Sequence, residues 1–486
     1  METKNKSKII ILKYIPYVII FIMCILVMLF MVDTSPIKAS DVKTDSSVFI
    51  STANEMLQGK VVYRDTFDHK GPIIYIINII GLLISPSSLI GIWFVEVISI
   101  FIACIFLYKS FELYFKENKC ILSLLLVSMF LGIMANTRML ELGNLVEEYA
   151  LPFIAIGIYL FFKYALSDEI EHKPKYMFFH GILCMFTMLL RPNMIAVWVS
   201  VGVIVTVKLL VNKKIKNLFI NILAGLLGLL VVFLPVAIYF GINNGFKDFI
   251  YSVFEFNMKY SADELKTKIE IIKTIIKGVL NKFLIVAVIS IISGIVGKKF
   301  KNGITIFSVL FLSTSIIVIS FAGRVYGHYY MNLLPAIIVS FIFIIEMLNK
   351  KMIKKFPIVV SICVMCLNVM AIVGYKVIDL KKFDDIYNSI TEELENGDLY
   401  VLGNKCTYYL NLDSYPDFKY KYIIPITKID NNIIEETAEY IATFKPKYII
   451  VDKGHIGDKK LPVYDLVKEN YDLVCIQTDE LYKIKE

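Results

Sequence analysis

Residues 45–72 read DSSVFISTANEMLQGKVVYRDTFDHKGP, and the rest of the chain is arranged around them. The stretch follows one long apolar segment and precedes a series of others. It sets Asp45, Glu55, Arg64, Asp65, Asp68, His69 and Lys70 at the border of a membrane. A polar loop joining two spans needs only a few solubilising residues. This one carries a carboxylate just before a helix-like run and ends in a compact Asp-His-Lys-Gly-Pro turn. That is the composition of a site floor.

The apolar segments place the stretch at that border. Hydrophobic residues make up 57% of 486 and charged residues only 19%, against about 45–50% and about 25% in ordinary soluble domains. The excess comes in blocks long enough to cross a bilayer core. The expected fold is an all-α polytopic membrane bundle of about 11 transmembrane helices with a small C-terminal α/β domain. The expected spans are 9–32, 88–108, 120–135, 149–165, 177–190, 193–211, 217–240, 278–297, 303–321, 329–349 and 357–375. The first is too long for a signal-peptide core and lacks a small-residue cleavage site, so it reads as an uncleaved anchor. Residues 72–84 are too short to span and read as a helix along the outer interface.

Lysine fixes the expected orientation. Three lysines precede the first span, and the alternate loops carry Lys109/Lys116/Lys119, Lys163/Lys173/Lys175, Lys213/Lys214/Lys216, Lys298/Lys299/Lys301 and Lys350/Lys351/Lys354/Lys355. By the positive-inside bias these loops and the N-terminus are cytoplasmic. The net charge of +8 therefore reads as topology and not as nucleic-acid binding. The transmembrane part is 1–376, with a first outer loop at 33–71; the tail, 377–486, is extracytoplasmic. Six of the eight cysteines sit in or beside apolar spans and read as small core residues. Cys406 and Cys475 share the tail, and nothing in their spacing demands a pair.

Arginine is sparser than lysine. Only four of the 51 basic residues are Arg, and Arg64, Arg138, Arg191 and Arg324 all fall in expected outer loops. A guanidinium grips phosphate or carboxylate bidentately, which an ammonium cannot do. They either converge on an anion at the outer face or merely cap helices and pair with Glu141 and Asp65. Residues 241–277 form a longer outer loop, partly amphipathic, that reads as a lid or as an ordinary surface helix. In the tail, β-like runs at 399–402, 448–451, 473–477 and 481–485 alternate with helix-like 433–444 and 461–470. No nucleotide-binding glycine motif occurs there.

The outer loops together suit a transfer reaction. Asp45, Asp68, His69 and Lys70 come from the first, and Arg138, Glu141, Glu147 and Glu148 from the next. Arg191 lies in the following hairpin, and Arg324, His328 and Tyr329 precede a later span. A carboxylate can take a proton from an attacking hydroxyl while Lys and Arg hold a phosphate leaving group. Glu96 inside the second span is a functional candidate by its depth. His172, His180 and His455 receive no role.

Residues 45–59, with 63–72 (YRDTFDHKGP), resemble the first outer loop of the glycosyltransferase C superfamily. The branch is that of bacterial membrane enzymes related to protein O-mannosyltransferases and aminoarabinose transferases. Residues 147–152 (EEYALP), 191–193 (RPN) and 323–335 are similar to later blocks of that superfamily, so the resemblance covers 1–376 in order. It implies transfer of a sugar, with inversion, from a polyprenyl-phosphate donor on the outer leaflet to a cell-envelope glycan, lipid or protein. Carried over, Asp45 is the general base and Lys70, Arg191, Arg324 and His328 contact the donor phosphate. Asp68, His69, Arg138, Glu147, Glu148 and Tyr329 bind substrate. Ser46 stands where many relatives have a second acid, and Gly-Pro follows Lys70 in place of Pro-Pro. No protein ligand set for a metal is implied, and whether a divalent metal assists stays open. The other class of reading is a transporter or flippase of an anionic lipid or lipid-linked sugar. The sequence shows no internal repeat, and its polar residues gather at the outer face and not mid-membrane, which favours the enzyme.

Overall fold

Apolar blocks become helices because a backbone inside lipid must satisfy its own hydrogen bonds. The computed structural model describes residues 2–38, 42, 44–260, 265–297, 303–323, 325–351, 386, 390, 394–423, 426, 430, 432–452, 462–476 and 479–485. The expected eleventh span, Arg324, His455, Cys363 and Cys366 lie outside them. The membrane half opens with α1 (Glu2–Met31), α2 (Thr44–Leu57), α3 (Ile73–Ile84), α4 (Ile90–Tyr114), α5 (Lys119–Met134) and the short α6 (Thr137–Leu140). Next come α7 (Val146–Ala165), α8 (Pro174–Met188), α9 (Ala196–Val211), α10 (Ile215–Ile242), α11 (Phe246–Ile250) and α12 (Phe256–Tyr260). It closes with α13 (Leu265–Lys277), α14 (Asn281–Val296), α15 (Ile304–Ser320), α16 (Leu334–Ser340) and α17 (Ile342–Lys351). The tail adds β1 (Leu399–Leu402), α18 (Thr407–Leu412), α19 (Asn432–Phe444), β2 (Tyr448–Val451), α20 (Pro462–Asn470), β3 (Tyr471–Ile476) and β4 (Glu480–Ile484).

Helices occupy the positions of the first ten expected spans. Among the described residues, α1, α4, α10 and the run Gly327–Asn349 are each long and apolar enough to cross a membrane alone. A fifth arises if α13 and α14, bent by 87° at their junction, are taken together. The helices α5, α9 and α15 have 16, 16 and 17 residues, short of the ~20 that a full crossing needs. The chain is a multi-pass membrane protein, and among the described residues fewer helices are full-length than the hydropathy blocks imply.

Two compact units divide it, each assembled from separated stretches. The first comprises Met1–Ile37, Trp93–Val236 and Ser261–Val377. In it α7 packs on α8, α9 on α15 and α14 on α17. Phe307 stacks on Phe161 and Phe311 at ring distances of 4.3 and 5.3 Å. α8 and α10 cross backbone to backbone, since a Cβ on Gly181 would stand 2.1 Å from the Gly225 carbonyl oxygen. Small residues allow that approach where lipid supplies no hydrophobic drive.

The second unit comprises Lys38–Ile92, Ala237–Tyr260 and Ile378–Glu486. The stretch Lys38–Ile92 is too short to bury a core alone, and it shares one with the other two stretches. Tyr63 packs on Phe240 and Phe249 at 5.4 and 5.9 Å, and Phe67 lies 5.4 Å from Tyr420. The sheet order is β1-β2-β4-β3, with β1 parallel to β2 and the other pairs antiparallel. β1 and β2 are buried at every residue, as uninterrupted apolar runs require. The two tail strands expected at 473–477 and 481–485 begin one or two residues earlier. Cys406 and Cys475 are free thiols.

Candidate active site

The Asp-His-Lys turn of the second unit is held from every side. Asp68, 1% exposed, accepts hydrogen bonds from the Tyr75 hydroxyl at 2.6 Å, the Tyr422 hydroxyl at 2.7 Å and the His69 backbone N–H at 2.6 Å. The His69 carbonyl accepts from the Asn257 amide at 2.7 Å, and the Lys70 carbonyl from the Tyr63 hydroxyl at 2.6 Å. Asn257 follows a single π-helical turn, Tyr251–Glu255, an irregularity frequent at functional sites.

These contacts aim a chain of side chains toward solvent. His69 Nδ1 lies 3.3 Å from Asp68 Oδ1, and its Nε2 lies 3.1 Å from Lys70 Nζ. Lys70 Nζ lies 3.7 Å from Asp45 Oδ2 and 5.9 Å from the centre of the Phe49 ring. Asp45 stands inside the first turn of α2, not before it, because the helix starts at Thr44. A carboxylate there is favoured by the unpaired amides of the helix start. Its side chain is 41% exposed.

Burial opposes ionisation of Asp68, yet the His69 hydrogen bond and the Lys70 charge hold its carboxyl well below the usual range. Burial, with the Lys70 ammonium, pushes His69 below its ordinary value. A neutral His69 facing Asp68 through Nδ1–H offers its Nε2 lone pair to the ammonium; its partners assign this tautomer. Beside the turn, Glu55 is paired with Lys421 and lies 2.9 Å from Lys60. Burial pulls the Lys421 ammonium well below its ordinary value.

The first unit holds a second cluster. Glu147, in the first turn of α7, is buried and paired with Arg191, whose guanidinium lies 4.0 Å over the Tyr329 ring. His328 is bracketed by carboxylates, with Nδ1 2.6 Å from Glu141 Oε2 and Nε2 3.9 Å from Glu147 Oε1. Glu141, Leu142, Gly143 and Asn144 all have positive φ, at 41°, 75°, 90° and 53°. Three of them are not glycine, so the loop is strained. Glu96 holds it: one carboxyl oxygen accepts the Asn144 N–H at 2.5 Å and the other accepts the Thr34 hydroxyl. Glu148 is fully buried beside Glu96.

The structure thus brings together Asp45, Asp68, His69 and Lys70, and separately Glu147, Arg191, His328 and Tyr329. Arg138 is exposed on α6. Arg64 spends its fork on neighbouring Asp65 at 2.7 Å, as the ion-pair alternative for the arginines has it, while Glu141 takes His328 instead of an arginine. Tyr75, Asn257 and Tyr422 were not singled out by sequence; no local pattern marks a hydroxyl 354 residues from its partner. Among the described residues no group of three or more His, Cys, Asp or Glu is disposed to hold a metal ion.

A helical membrane half followed by a small mixed sheet is a fold that this chain shares with solved proteins. ArnT from Cupriavidus metallidurans bound to undecaprenyl phosphate matches at 11% identity and TM-score 0.60, over 96% of this chain and 97% of that one. The same protein in the apo state matches at 10% and 0.62, over 98% of each chain. The Archaeoglobus fulgidus oligosaccharyltransferase, solved in complex with Zn and sulfate, matches at 13% and 0.50, over 94% of this chain and 71% of its own. No curated protein sequence matches. A family model described as "Putative competence-induced protein Ccs4 N-terminal domain" matches residues 4–370, and the chain belongs to that family.

Proposed function

We propose that this protein is an integral-membrane glycosyltransferase that moves a sugar from a polyprenyl-phosphate donor to a cell-envelope acceptor on the outer face. The observation that carries this reading is the chain Asp68–His69–Lys70–Asp45, a half-exposed carboxylate beside an ammonium braced from behind. The fold likeness to ArnT, solved with undecaprenyl phosphate, suggests the lipid class. In the reaction, the acceptor oxygen attacks the anomeric carbon as Asp45 takes its proton. The bond from that carbon to the phosphate oxygen breaks, with inversion, and the electron pair leaves on the polyprenyl phosphate. Such a leaving group needs electrostatic help more than protonation. Lys70 supplies it, with Arg191, Arg324 and His328 the further donor-side groups. Arg138, Glu147, Glu148 and Tyr329 bind the sugar or acceptor; Asp68 and His69, expected among them, brace Lys70 instead, because Asp68 is buried with both oxygens occupied. On this reading residues 1–376 form the catalytic membrane domain and 377–486 an extracytoplasmic one.

Incubating the purified protein with a panel of polyprenyl-phosphate sugars and envelope extract, and following release of the lipid phosphate, tests this reading. Release by the wild type and not by Asp45→Asn is expected. A wild type that releases none, yet moves the lipid intact between leaflets of a vesicle, would make it a flippase.

A further inference from the structure

Residues 415–422 of the tail reach the Asp-His-Lys turn. Asn54 donates to the Tyr415 hydroxyl at 2.8 Å, the Phe67 N–H donates to the Lys419 carbonyl at 2.8 Å, and Lys419 pairs with Asp248 at 2.9 Å. Lys421 pairs with buried Glu55. The run ends on Tyr422, whose hydroxyl donates to Asp68 Oδ1 at 2.7 Å and lies 3.4 Å from His69 Nδ1. Packing alone would be served by a phenyl ring. A hydroxyl buried against a buried carboxylate must be matched to it, because an unmatched polar group there is costly.

We propose that Tyr422 is a positioning residue: through Asp68 it fixes the tautomer of His69, and so aims Lys70 at its anionic ligand. This rests on the reading that Lys70 meets a lipid phosphate. Tyr422 and the His69 N–H occupy Asp68 Oδ1 while Tyr75 occupies Oδ2, so the carboxylate cannot turn. Its Oδ1 and the Tyr422 oxygen both face Nδ1, which keeps the proton on that nitrogen. Nε2 is then left as the acceptor for Lys70. With the proton on Nε2 instead, an N–H would face the ammonium, and Lys70 would swing away. The tail is thereby part of the site, although it brings no group to the substrate.

The test uses the full-length protein in lipid nanodiscs with 15N-labelled histidine. The ring nitrogens of His69 are assigned by the signals lost in His69→Gln. The wild type is expected to show neutral, Nδ1-protonated His69 at pH 7. Tyr422→Phe should shift it toward the Nε2-protonated form and weaken binding of added undecaprenyl phosphate about tenfold, as losing a hydrogen bond to a charged group does. Tyr415→Phe, which removes an anchor of the same run, should leave the His69 signals in place. 3-Fluorotyrosine at position 422 retains the hydroxyl and should restore binding; its stronger donation should move the His69 signals. If Tyr422→Phe folds with His69 unmoved, the proposal is overturned. If Tyr422→Phe fails to fold, unmoved signals in the fluorotyrosine protein overturn it equally. A wild type that does not bind undecaprenyl phosphate refutes the lipid-donor reading, and the histidine signals still decide the role of Tyr422.

Discussion

Asp45 and Lys70 stand 3.7 Å apart at the exposed end of a braced chain, and their roles separate by substitution. Asp45→Asn keeps size and position and gives up a first-turn charge worth ~0.3–1 kcal/mol together with the ion pair to Lys70. It should fold, bind donor and lose about 10²-fold or more in turnover, within the usual range for a general base; near-normal turnover would move the base to Glu147 or Glu148. The pH dependence of stability follows from the same turn. His69 is held below its ordinary value of 6.5, so the unfolded chain binds more protons and stability falls as pH drops through about 6.5. Asp68, also held low, adds a further loss below about pH 4. Thermal unfolding followed between pH 7.5 and 5 should show Tm falling with acid, and His69→Gln should flatten that slope. A slope unchanged in His69→Gln would refute the assignment.

At the scale of elements, the loop between α6 and α7 is strained, with four successive residues at positive φ. A Cβ on Gly143 would stand 2.6 Å from Glu96 Oε1 and 2.5 Å from a Val32 methyl, at a φ of 90° that side chains rarely adopt. Gly143→Ala should therefore lower stability by about 1–3 kcal/mol, read as a drop in Tm, and should disturb the bonds from Thr34 and Asn144 to Glu96. An unchanged Tm would mean that the loop relaxes freely. This strain was invisible in sequence, where Leu142 and Asn144 look like ordinary loop residues. The tail strands were visible: apolar runs bounded by polar residues gave two of the four with their ends, because a strand buried on both faces announces itself by composition.

For the whole molecule, the lysine-rich loops predict an N-terminus inside and a tail outside. In a cysteine-free background, Lys468→Cys, on an exposed face of α20, should react with a membrane-impermeant maleimide in intact cells. Lys213→Cys should react only after permeabilisation. The reverse pattern would invert the topology and put the Asp-His-Lys turn on the cytoplasmic side.

Sequence by itself determined the membrane class, the positions of the first ten apolar helices and the alternation of strands and helices in the tail, and it singled out Asp45, Asp68, His69 and Lys70 as neighbours in one loop. These are local properties, since hydropathy, charge bias and turn chemistry are written in neighbouring residues. Tertiary structure alone decided that the loop after α1, the segment 237–260 and the tail form one unit. It decided that Asp68 is clamped by Tyr75 and Tyr422, and that Arg191 pairs with Glu147. Each of these joins residues far apart in the chain. A buried carboxylate demands partners of the right chemistry, but only the fold selects which distant residue supplies them.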